Sequence, residues 1–62
     1  MKQEIEDAEA RARAAGVTVD HFCELAGINR ATWQRWKAGR SRPLLDTWQR
    51  VGVALAELER AA

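Results

Sequence analysis

Sixty-two residues carrying ten basic and nine acidic side chains allow one domain around one modest core. A chain of this length buries only about 60% of the surface its extended form exposes, so its three Trp and one Phe must supply much of the apolar area. One Cys excludes an internal disulfide, and one Cys with one His is too few for a zinc site made by this chain alone.

With no Tyr, no β-branched run and no alternating segment, nothing reads as a sheet, and an all-α fold is expected. No metal, cofactor or small-molecule ligand is expected. No apolar stretch reaches membrane-spanning length and no secretory signal is visible, so the expected compartment is the cytoplasm. The formal net charge of +1 is unevenly placed: residues 1–10 carry −3, residues 11–42 carry +5, and the remainder −1. The basic middle favours an anionic partner, with nucleic acid the leading candidate and a merely solvated polar face the bland alternative.

The first helix is predicted over 3–15, with Ile5, Ala8, Ala12 and Ala15 as its inward stripe and Ile5 as its main anchor. Acidic residues early and Arg11 and Arg13 late complement the helix dipole, and Gly16 ends the helix. Its acidic face reads mainly as a solubility feature. Thr18 is the expected N-cap of a second helix over 19–26, with Val17 packing into the core. Phe22, Cys23 and Ala26 share one face of that helix, and Cys23 reads as a small buried residue rather than a reactive thiol. His21 is a candidate phosphate contact or an exposed spectator.

Asn29 is the expected N-cap of a third helix over 30–38, and Gly39 suits the residue after its end. Trp33 and Trp36, three apart, face the same way; together with Ile28 they read as core, the alternative being stacking platforms for bases. Arg30, Ala31, Gln34 and Arg35 lie opposite or along the edges, and Arg and Gln have the donor and acceptor geometry that matches guanine and adenine edges. Two short helices joined by a turn near Gly27 outline a helix-turn-helix. A fourth helix is predicted over 45–58, with Leu45, Trp48, Val51, Leu55 and Leu58 as an amphipathic stripe. Gly52 inside it costs about 1 kcal/mol relative to Ala.

From Val17 to about Leu55 the chain resembles the Cro and phage-repressor, or lambda-repressor-like, family of helix-turn-helix domains. The resemblance rests on Cys23 with Gly27 four residues later, on apolar Ile28, Trp33 and Trp36, and on Ala38-Gly39 followed by Arg40-Ser41-Arg42-Pro43 and then Leu45-Asp46-Thr47. It departs from the family at Val19, where a Gln is common. The resemblance implies a compact four-helix domain over 1–62 that binds double-stranded DNA as a transcriptional regulator, a repressor first, by inserting the third helix into the major groove. It implies base contacts from Arg30, Ala31, Gln34 and Arg35. Asn29, Lys37, Arg40, Arg42 and His21 are the candidate phosphate contacts, with Phe22, Cys23, Ile28, Trp33, Trp36 and Trp48 as supporting core. It further implies a homodimer on a palindromic operator, for which Leu55 and Leu58 offer a candidate surface; their alternative role is packing against the first helix. A protein-binding module of the same fold is the competing reading. An enzyme is not expected, because no nucleophile–base arrangement, phosphate-cradling loop or metal cluster is evident.

Overall fold

Four helices make up the computed structural model, which describes residues 1–61: α1 Lys2–Ala14, α2 Val19–Ala26, α3 Arg30–Lys37 and α4 Leu45–Ala61. Their boundaries have local causes. The Thr18 hydroxyl accepts from the His21 N–H at 3.1 Å and caps α2. α2 ends where Gly27 turns left-handed at φ +73°, which lets the Ile28 N–H reach back to the Cys23 carbonyl at 2.9 Å. Only Gly27, Ile28 and Asn29 separate α2 from α3, and Ile28 is buried. The Asn29 carboxamide oxygen then accepts from the Ala31 N–H at 2.8 Å and starts α3. Asn29→Ala is expected to cost about 1 kcal/mol, read as a lower urea midpoint at unchanged slope.

The fourth helix runs to Ala61 rather than stopping at 58. Residues 59–61 are good helix formers, and Glu59 is held by Arg11 of α1, whose Nε donates to Glu59 Oε2 at 2.8 Å. That pair is exposed at both ends, so it fixes the end of the helix more than it stabilises the fold.

Both α1 and α2 pack against all three other helices, whereas α3 is held by α1 and α2 only. Ile5, Phe22, Trp33 and Val51 are fully enclosed at the centre. Phe22 meets Trp33 edge-on at 5.6 Å between ring centroids, and Trp33 meets Trp36 at the same distance, tilted by 56°. The result is a compact, all-α four-helix domain. No described helix is long and apolar enough to cross a membrane.

Four expectations about packing need correction. Leu45 is 74% exposed; two steps of three residues rotate it about 120° from Val51 on a helix of 3.6 residues per turn, so it leaves the stripe. Trp48 is only half-buried, at the edge of the core. Ala15 caps α1 and is half-buried, and the fourth inward position of that helix belongs to Glu9. Leu55 is buried within the single chain and is not available as a dimer surface, while Leu58 is half-buried against the core. Ala54 takes the remaining inward place on α4, beside α2, whose Ala26 is also buried.

Candidate functional site

Because α3 is packed on one side only, the tryptophan spacing decides what its other side presents. Trp33 and Trp36 are buried, at 0% and 4% exposure, and their indoles anchor the helix to α1 and α2. Ala31, Gln34, Arg35 and Ala38 follow at offsets of zero, three, four and seven, so they form one outward stripe, and all four are exposed. Arg30 stands at the leading end of that stripe. Its Nε lies 2.5 Å from Asp20 Oδ1 on the first turn of α2, and both side chains are largely in water. With the Gln34 amide turned so that its oxygen faces Arg30, that oxygen accepts from both terminal guanidinium nitrogens, at 2.5 and 3.1 Å. Arg30 thus bridges Asp20 and Gln34.

Farther along, an Arg35 terminal nitrogen donates to the Thr32 hydroxyl at 3.2 Å. Arg40 lies just beyond the end of α3, where its N–H bonds the Arg35 carbonyl at 2.9 Å. Gln34, Arg35, Ala38 and Arg40 line one shallow concavity. Arg40 and Arg42 are exposed and make no ion pair with other described residues. His21 is exposed on α2, with its Nδ1 4.0 Å from the Glu24 carboxylate. Asn29 caps α3, with its side-chain oxygen spent on that cap.

Lys37 behaves differently from the other cations. Its ammonium donates to Glu9 Oε1 at 2.9 Å, turning back toward α1. Glu9 is the polar residue that sequence reading assigned to a solvated face and that the fold encloses, at 3% exposure. Its other oxygen, Oε2, accepts from the Trp33 indole N–H at 2.7 Å. Trp33 and Lys37 are one turn apart on α3, so a single carboxylate holds two successive turns of that helix and opposes its rotation about its own axis. Arg13 approaches the same carboxylate at 3.8 Å.

Burial is the largest influence on the Glu9 carboxyl and pushes its pKa up. The hydrogen bonds from Lys37 and Trp33, with the charges of Lys37 and Arg13, outweigh it together and hold the pKa below the usual carboxylate value. The group is therefore ionised at neutral pH, and no buried side-chain polar atom among the described residues lacks a partner. A sequence signal for Glu9 did exist: it stands four after Ile5 and three before Ala12, inside the inward stripe. Its partners, 24 and 28 residues away, could not be read locally.

Cys23 is buried, and that burial pushes its thiol pKa up, which is the behaviour of an inert packing residue. Among the described residues no group of three or more His, Cys, Asp or Glu converges as a metal site would. No family model matches the chain, and neither curated proteins nor solved structures give a significant match.

Proposed function

We propose that the chain is a sequence-specific regulator that binds double-stranded DNA, with α2 and α3 acting as a lambda-repressor-like helix-turn-helix and α3 entering the major groove. The supporting observation is the division of α3 into two faces. Its tryptophans are enclosed, Trp33 held by Glu9, while Arg30, Ala31, Gln34 and Arg35 are exposed together on the other side. In this reading the first half of α3 leads into the groove. Arg30 gives up Asp20 for guanine O6 and N7, an exchange that costs little because an exposed ion pair contributes only about 0–1 kcal/mol. Gln34 pairs with adenine N6 and N7, Ala31 touches a thymine methyl, and Arg35 reaches a base or a phosphate. Arg40, Arg42, Asn29 and His21 hold the backbone, fixing register rather than sequence. Lys37, already engaged by Glu9, steers more weakly than its charge suggests. Two copies related by a two-fold axis read half-sites about 34 Å apart, and occupancy of such an operator represses transcription.

Selection of bound sites from a random duplex library, repeated at two salt concentrations, tests this directly. Arg30→Ala is expected to keep the fold and relax preference at one position, by about 1–3 kcal/mol of discrimination. Arg42→Ala is expected to weaken all duplexes alike and to lower the salt slope by about one. A folded sample that retards no duplex in dilute buffer overturns the proposal. The competing reading is a protein-binding module of the same shape. It is favoured by the pairing of Arg30 and Lys37 inside the chain and by a buried Val19 in place of a polar contact. A protein complex insensitive to salt, with no duplex bound, would establish it.

A further inference from the structure

Arg30 has two anchors on the outer surface, and only one of them is charged. Its Nε lies 2.5 Å from Asp20 Oδ1, with the two side chains 45% and 75% exposed. Its terminal nitrogens reach the Gln34 amide oxygen. Asp20 stands in the first turn of α2 and Arg30 opens α3, so the pair joins the leading ends of the two helices. Arg30 is the one ion-pair partner of Asp20 among the described residues. Arg13 lines the same open cleft, but its guanidinium approaches Glu9 of α1, at 3.8 Å. Thr18, the remaining polar side chain of that cleft, accepts from the His21 N–H as the cap of α2. Drawing Arg30 away therefore leaves the Asp20 carboxylate without a counter-ion.

We propose that Asp20 is a specificity-determining residue, which reads a base carrying an amino group next to the guanine read by Arg30. The proposal rests on the nucleic-acid reading above and extends it to the residue that Arg30 leaves behind. When Arg30 exchanges Asp20 for guanine O6 and N7, the released carboxylate faces a polyanion. It can only accept hydrogen bonds, so it needs a donor from the duplex. In the major groove those donors are cytosine N4–H and adenine N6–H, whereas guanine O6 and thymine O4 are acceptors and repel it. Successive bases lie about 3.4 Å apart along each strand. A carboxylate that touched Arg30 in the free chain accordingly stays within one base step of the guanine. Every base pair has one such amino group, so Asp20 selects the strand on which it lies rather than A·T over G·C. It accepts cytosine and adenine alike at that position and disfavours guanine and thymine, as a built-in penalty against wrong sites.

Duplex selection with the whole chain and with Arg30→Ala, Asp20→Ala and Asp20→Asn decides it, with helix content checked by circular dichroism. Arg30→Ala marks the guanine position. At one base pair beside that position the original chain is expected to favour cytosine or adenine over guanine or thymine by about tenfold, measured as Kd on duplexes differing there alone. Asp20→Ala removes the acceptor, and Asp20→Asn supplies a donor as well. Both are expected to flatten the preference at that base pair while keeping the guanine. Asp20 is exposed on the first turn of α2, so both variants are expected to fold. Tighter binding of every duplex with the preference intact would mean that Asp20 acts only as a repelling charge, and would overturn the proposal. Loss of the guanine preference itself would also overturn it, by showing that Asp20 acts through Arg30. In either case the nucleic-acid reading stands. A folded chain that binds no duplex sinks both.

Discussion

Trp33→Ala is expected to leave the domain largely unfolded at 25 °C. Trp33 is fully enclosed, touches both Phe22 and Trp36 at 5.6 Å between ring centroids, and donates its indole N–H to Glu9. Truncating such a ring costs about 3–5 kcal/mol through lost burial and the cavity left behind. A chain of this length has a total stability on the order of 3–9 kcal/mol, so the loss is comparable to the whole. Trp33→Phe keeps most of the ring and removes the donor, which leaves one oxygen of an enclosed carboxylate without its partner. It is expected to fold with a lowered midpoint, by about 1–3 kcal/mol. Trp48→Ala, at a half-buried site, is expected to cost less than Trp33→Ala. Thermal and urea unfolding followed by circular dichroism give the order. A Trp33→Ala protein as stable as the original would contradict the placement of that ring at the centre.

Lys37→Met is expected to destabilise the fold at neutral pH and to do so less and less as the pH falls. Removing the ammonium leaves Glu9 charged and enclosed, with the Trp33 N–H as its remaining close donor. Breaking a buried pair in this way costs about 3–5 kcal/mol, and the lower end applies because the Lys37 side chain keeps 36% of its surface in water. The pH dependence follows from the direction of the Glu9 shift. In the original chain its folded pKa lies below the ordinary carboxylate value, so its contribution to stability is present above that value and is lost as pH falls through the depressed one. Without Lys37, its hydrogen bond and its charge no longer hold the carboxyl down, and the folded pKa moves up from its depressed value. The variant's deficit therefore shrinks once pH drops below that raised value, and is smallest when Glu9 is protonated in both proteins. Urea midpoints at about pH 7, 5 and 3 measure the gap. A gap that stays constant across this range would show that Lys37 acts through packing of its stem alone.

The same two residues mark how far local reading extends. Trp33 belongs to an apolar pattern with Ile28 and Trp36, and its burial follows from spacing on a helix. Glu9 belongs to an equally regular pattern with Ile5, Ala8 and Ala12, yet a carboxylate in an alanine-rich stripe reads as solvated because its cost of burial is visible and its compensation is not. The compensation lies on another helix. Arg30 shows the same limit from the other side: its position on the outer face of α3 was legible from the tryptophans, but its pairing with Asp20 depends on how α2 and α3 cross. Leu45 and Leu55 stand in one expected stripe, yet Leu55 is internal and Leu45 exposed. Steps of three and four look alike in a stripe, while their accumulated rotation separates the two ends of a long helix.

The order of residues by itself determined the helix number, their starts at Thr18 and Asn29, the stop at Gly27 and the inward turn of the tryptophans. Caps, left-handed glycines and helical periodicity act within a few residues of the chain. Only the tertiary structure decided which polar groups stay available to a partner. It drew Glu9 and Lys37 together beneath α3, tied Arg30 to Asp20 and left Arg40 and Arg42 without an ion pair among the described residues. Those outcomes depend on the distances between helices, where the desolvation of a charge and the attraction of its counter-ion are both large and nearly cancel.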